Sequence, residues 1–325
     1  MDTWVDQVHR RAQIIVDQIM ATRVASEQTG VNLDPLERQN RQLLERLYAE
    51  ELPSARLRDT SDIMLRAEGP GADHHAPSLR SFNWLTEHIR AQLRVLTEAV
   101  LPMAVHDAKA AAKRMEWAFM GYAPGSIMLG FSLRRSESLQ GFEESDQRAY
   151  EMLSDSAQAI ATVPQFVGDN GLHDDIAEAI TDPALRDAAI MAAWNLAPTA
   201  QSGIHTIQVA SRRGDSGSLS LRERMVLKFA VDRPELRQKK TGSFIGNMRA
   251  ADLDKHRVVL REVPGIGAIR CIIDPAMESQ ARLLFGSQVV AEGEYETDRT
   301  GRPRLMRIHS LTEDQTQAQM FNPNA

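Results

Sequence analysis

The last quarter of the chain constrains the fold most, because residues 239–312 alternate apolar and polar side chains in successive short runs separated by turn residues. Residues 243–250 (SFIGNMRA) place Phe244, Gly246, Met248 and Ala250 on one side and Ile245, Asn247 and Arg249 on the other. That is the two-residue period of a half-buried strand. Residues 257–263 (RVVLREV) set Val258 and Leu260 against Arg257, Val259 and Arg261, and run into the turn pair Pro264-Gly265. In residues 267–273 (GAIRCII), Ile269, Cys271 and Ile273 point inward and Arg270 outward. Asp274-Pro275 then stops the strand and opens a short helix over 275–285, because aspartate accepts from first-turn amides and proline fits that turn. Gly286 ends the helix, and QVVAEGEY and PRLMRIHSL give two more strands around the turn TDRTG.

Three strands, a helix and two strands is the element order of the OB-fold, and residues 239–312 resemble an OB-like five-stranded β-barrel. The resemblance covers under a quarter of the chain and rests on element order, with no signature motif. It implies that the second and third strands and the flanking loops meet a ligand, which in many members is an oligonucleotide or oligosaccharide. Arg249, Arg257, Arg261 and Arg270 lie outward on the first three strands, and Arg299, Arg302 and Arg304 lie between the last two strands and at the start of the fifth. With Lys239 and Lys240, these are the candidate nucleic-acid-binding residues. Outward aromatic residues for base stacking are missing, so any sequence preference is expected to be modest. Glu292, Glu294 and Glu296 on the fourth strand restrict nucleic acid to the opposite edge.

Charge is distributed unevenly along the 325 residues, whose formal net charge is -6. Residues 1–210 hold 19 Lys and Arg against 29 Asp and Glu, residues 211–325 hold 19 against 15, and residues 211–270 hold 14 against 7. A basic stretch leading into a barrel is the footprint of a phosphate-binding groove. It is equally the pattern of an acidic half packed on a basic half or on another subunit. No apolar run is long enough to span a bilayer, and MDTWVDQVHRR lacks the order of a signal peptide, so a cytoplasmic, membrane-free protein is expected. The single cysteine, Cys271, excludes an internal disulfide and reads as a core residue.

The first two-thirds read mainly as helix. Val5, Val8, Ala12, Ile15 and Ile19 recur at steps of three and four, predicting a helix over 3–28 that ends at Gly30. A second helix starts at Asp34-Pro35 and carries Leu36, Leu43, Leu44 and Leu47 as far as Pro53. The two form a hairpin, docked in the core or contacting a partner or second copy through Val5, Val8, Ile15 and Ile19. Further on, the pattern predicts a strand over 61–69, a long helix from Ser78 to Val105 with an alanine-rich continuation, and a strand entered through Pro124-Gly125. Helices over 147–162 and 182–196 and a strand over 203–213 follow. The expected class is α+β and multi-domain: a helical hairpin (1–54), a central α+β domain (55–213), a basic linker with helix (214–238), the barrel (239–312) and a flexible tail (313–325).

Motifs for chemistry are weak. Gly214-Asp215-Ser216-Gly217-Ser218 resembles the nucleophile segment of chymotrypsin-like proteases, but the largely helical chain before it is unlike their two-barrel body, and Ser218 replaces the pattern's last glycine. A turn-forming linker is the better reading. His173-Asp174-Asp175 and His74-His75 could join in a metal site like that of HD-type phosphohydrolases, although Asp174 or Asp175 also serves as a helix cap. No phosphate-loop, dinucleotide, zincin or EF-hand motif is present, so no cofactor is expected. The sequence points to a non-catalytic accessory subunit of a bacterial-type cytoplasmic machine, binding DNA or RNA through the barrel and assembling through its helices. The alternatives are a purely protein-binding adaptor and a hydrolase with its site in the central domain.

Overall fold

The computed structural model describes residues 3–73, 76–104, 115–123, 126–135, 144–212, 214 and 216–314. His74, His75, Pro124-Gly125, the alanine-rich run before residue 115 and the tail beyond residue 314 lie outside them.

Helix α1 (Trp4–Thr29) opens on a capping box in which Thr3 and Asp6 exchange backbone-to-side-chain hydrogen bonds of 3.0 Å. It closes on Gly30, whose φ of 67° is the left-handed conformation that glycine adopts without a side-chain clash. Helix α2 (Asp34–Arg46) starts at the expected proline, and the helical path continues past its end and through Pro53. The chain passes through a π-helical turn, Leu47–Glu51, into α3 (Leu52–Thr60), where Pro53 occupies the first turn and needs no amide donor. Carboxylate oxygens of Asp59 at the end of α3 accept from the amides of Trp4 and Val5, which ties the start of α1 to α3.

The central domain is built on an antiparallel sheet in the order β2-β3-β1-β4-β5, comprising β1 (Ile63–Glu68), β2 (Met115–Ala123), β3 (Ile127–Arg135), β4 (Thr206–Ser211) and β5 (Ser216–Ser220). Ile63, Leu65 and Ala67 alternate into a core formed with α4 (Leu79–Ala104), α5 (Glu144–Thr162) and α7 (Pro183–Leu196). On the opposite face, Met64 and Met128 pack beneath Leu57 of α3. The sheet therefore lies between two helical layers. The expected stripe on α4 is buried at Leu85, Ile89, Leu93, Leu96 and Val100, while Phe82 is half-buried.

Two strands depart from the sequence reading. Residues 115–120 form part of edge strand β2 instead of extending the long helix, because MEWAFMGYA pairs with β3 across a hairpin. Residues 216–220, expected as linker, form β5 and pair with β4, so Ser216 and Ser218 sit in a sheet. After the short α6 (Ile176–Ala179) and after β5 come α7 and α8 (Leu221–Asp232), respectively, the latter capped by Ser220 and Glu223.

The C-terminal region is a closed barrel of β6 (Lys240–Asp252), β7 (Arg257–Val263), β8 (Gly267–Ile272), β9 (Gln288–Thr297) and β10 (Pro303–Glu313), ordered β10-β8-β7-β6-β9. Every pairing is antiparallel except β8 with β10. A 3-10 turn and α9 (Glu278–Leu283) lie between β8 and β9, as expected for an OB-like barrel. Met248, Val258, Leu260, Ile269, Cys271, Val289, Met306 and Ile308 fill its interior. Burial pushes the Cys271 thiol up to about 12, which makes it an inert core group.

Candidate functional site

The strand pleat does place Arg257 and Arg270 outside the barrel, as the alternation predicts, yet neither faces water. Arg257 is 3% and Arg270 6% exposed, because the outer face of β7 and β8 packs against α7 of the central domain. Val259, paired with Arg270, and Ala268 on the same face join the central domain's apolar core.

Asp187 of α7 is the hub of this contact. Its carboxylate accepts two forked bonds from Arg257, Nη2 at 2.7 Å and Nε at 3.0 Å, and a third from Arg270 Nε at 2.6 Å. The rest of Arg257 is satisfied by the Lys255 carbonyl at 2.8 Å and the Val231 carbonyl at 3.2 Å. Burial alone would raise the Asp187 carboxyl, but the two guanidinia outweigh it and hold the group well below the ordinary carboxylate range. One carboxylate shared by two buried cations leaves an excess positive charge. Carbonyl oxygens around Arg257 offset part of it.

Two further ion pairs flank the hub. Arg186, next to Asp187 in sequence, donates to both oxygens of Glu296 on β9 at 2.8 and 2.9 Å. Arg304 on β10 donates through Nε to Asp182 at 2.8 Å, and Asp182 uses its other oxygen to cap the first turn of α7. At the far end of α7, Arg224 Nη1 meets the carbonyls of Trp194 and Ala197 at 2.9 and 2.7 Å, a cation on the negative end of the helix. Helix α7 is thus tied by charge to the barrel near its start and to α8 at its end.

Of the candidate nucleic-acid residues, the structure buries Arg257, Arg270 and Arg304 in carboxylate pairs, and a phosphate could reach them only by displacing Asp187 or Asp182. Arg261 is half-buried. Lys239, Lys240, Arg249, Arg299 and Arg302 are exposed, with Lys239 3.7 Å from Glu294. The barrel face formed by β6 and β9 exposes Ser243, Ile245 and Glu292, while Glu294 is half-buried and Glu296, at the α7 end of β9, is buried on Arg186. The candidate set does not converge into one basic groove.

The candidate partner-contact residues are also largely used within the chain. Val5, Val8 and Ile15 pack with Leu44, Leu47, Leu52 and Ala55, and Ile19 is buried. Val16, Met20 and Val24, at successive four-residue steps along α1, are exposed instead. In the acidic segment, Asp174 pairs with Arg237, and Asp175 occupies the N-cap position of α6 without a side-chain cap bond. Among the described residues, no group of three His, Cys, Asp or Glu side chains converges on a point that could hold a metal ion. No helix among them is long and apolar enough to cross a membrane.

The role of the acidic partners escaped the sequence reading: Glu296, expected beside Glu292 and Glu294 as a limit on nucleic acid, is buried on Arg186. Only the Asp182-Pro183 helix start was legible, whereas the signal for Asp187 was its position with Arg186 inside the otherwise apolar run PALRDAAIMAAW. Adjacent opposite charges within a fully apolar helix need buried partners of their own. Comparison of the chain with protein-family models, curated proteins and solved structures finds no match.

Proposed function

We propose that the protein is a non-catalytic assembly subunit whose barrel is a fixed docking module and whose contacts with other copies run through its N-terminal helices. The observation that carries this reading is the closure of Arg257 and Arg270 on Asp187. It occupies the second and third strands, the surface on which OB-fold barrels commonly meet ligands. Support for assembly comes from the exposed stripe Val16, Met20 and Val24, where large apolar groups stay wet on a helix whose buried side packs through Val8, Ala12 and Ile19. Light scattering on the full chain tests it: a mass above the 36.2 kDa of one chain is expected, falling to that value in a Met20→Glu/Val24→Glu variant. A wild-type chain of monomer mass would sink the proposal.

One observation favours a second reading, nucleic-acid binding. Arg299 and Arg302 are exposed in the β9–β10 turn, a loop position at which OB-fold barrels also meet ligands. Lys239, Lys240, Arg249 and Arg261 would extend that contact. Affinity for DNA or RNA that falls with salt by roughly 0.7 to 0.9 logarithmic units per contacted phosphate would support it. Loss of that affinity in Arg299→Glu/Arg302→Glu would locate it.

A further inference from the structure

A wide opening in the central domain lies between α4 and the β2 edge of the sheet. It has a volume of about 650 Å³, within the range of small-molecule sites, and its walls are mostly apolar. Phe82 of α4, Trp117 and Phe119 of β2 and Phe131 of β3 supply aromatic walls, and Leu93 and Leu133 line its buried side. The cavity exists because α4 buries Leu85, Ile89, Leu93 and Leu96 toward the core, while Phe82, Thr86, Arg90 and Thr97 on its adjoining side face the opening.

The walls are fixed in place. Trp117 Nε1 donates to Thr97 Oγ at 3.0 Å, and the Phe119 and Phe131 rings stand 5.7 Å apart at a tilt of 53°. The Thr86 and Thr97 hydroxyls donate to backbone carbonyls of their own helix at 2.7 and 2.8 Å, so neither needs a ligand. Phe119 is nevertheless 52% exposed, an unusual state for a phenylalanine tilted against a core ring. Arg90, Arg94, Glu98 and Glu116 carry the charge at the mouth, and Arg94 lies 3.9 Å from Glu98. Arg90 is left as the lining cation with no ion pair among the described residues.

We infer that this cavity binds a flat, largely apolar aromatic acid, with its rings among Phe82, Trp117, Phe119 and Phe131 and its acid group on Arg90. Rings gain apolar burial and tilted stacking there, and a guanidinium offers an anion a forked, permanently charged donor. The site is separate from the barrel and does not depend on how the barrel is used.

Two dyes that differ only in charge test the inference on the full chain: anilinonaphthalene sulfonate and its uncharged parent, phenylnaphthylamine, with emission excited through tryptophan. Saturable binding of the sulfonate is expected. Arg90→Gln should weaken it by about tenfold or more while leaving the neutral dye nearly unchanged, as loss of one charge-assisted hydrogen bond predicts. Phe119→Asp, at an exposed position, should weaken both dyes without lowering the thermal midpoint appreciably, and Trp117→Phe should remove most of the energy transfer. Failure of the sulfonate to bind would overturn the site. Equal response of both dyes to Arg90→Gln would overturn the acid assignment. Undiminished energy transfer in Trp117→Phe would place the dye elsewhere and overturn the location.

Discussion

The two outer faces of the barrel carry the same kind of alternating, charged strand pattern and have opposite fates. On β7 and β8 the outward Arg257 and Arg270 are buried against α7, while on β6 and β9 the outward Ser243, Ile245 and Glu292 meet solvent. A strand period reports which side chains leave the barrel interior, and nothing in it reports what waits outside. The basic excess of residues 211–270 accordingly serves in part to bind the chain's own acidic half. Desolvating such a hub costs energy that its attraction only roughly returns, so its value lies in fixing one orientation of barrel on helix.

The largest expected effect breaks that comparison at its centre. Asp187→Asn leaves Arg257 and Arg270 buried without a carboxylate and should destabilise the protein by about 3–5 kcal/mol, measured by urea unfolding. Replacing all three with apolar residues of similar volume, Asp187→Leu/Arg257→Met/Arg270→Met, should recover most of that loss. A triple variant as weak as Asp187→Asn would show that the charges themselves stabilise the contact.

A smaller effect comes from the close packing of β9 on β10. A Cβ at Gly293 would sit 1.9 Å from the Arg307 carbonyl oxygen, so Gly293→Ala must shift β9 against β10 and should cost about 1–3 kcal/mol. An unchanged thermal midpoint would refute the tight register at this point.

Acid titration sharpens the contrast between the faces. Asp187 has its folded value depressed below the ordinary 3.8, so its contribution to stability is fully present above that pH and is lost as pH falls from there toward the folded value. Wild-type stability should therefore decline steeply below about pH 4, and Asp187→Asn should lack that part of the decline. The smallest effect belongs to the exposed loop: Arg299→Glu/Arg302→Glu should change stability by no more than about 0.5 kcal/mol.

How much of this could be read from the chain follows from the range of each force. The barrel was legible because its core residues, Val258, Leu260, Ile269 and Cys271, obey a local period and its turns carry Pro, Gly and Asp. The helix end at Gly30 and the helix start at Asp34-Pro35 were local too. Strand β2 was missed because an alanine-rich run before it favours helix, while its pairing partner β3 decides the matter. The hub was missed because Asp187 and Arg257 are 70 residues apart and meet only through tertiary packing.

The central claim is that Arg270 acts on Asp187 and not on an external phosphate. A double-mutant cycle with Asp187→Asn and Arg270→Gln, read by urea unfolding of the full chain, measures that coupling directly. Strong non-additivity, on the order of 1.5–3 kcal/mol, is the predicted result, with the double variant little worse than Asp187→Asn alone. Effects that add to within about 0.5 kcal/mol would contradict the account and return Arg270 to the pool of residues available to a ligand.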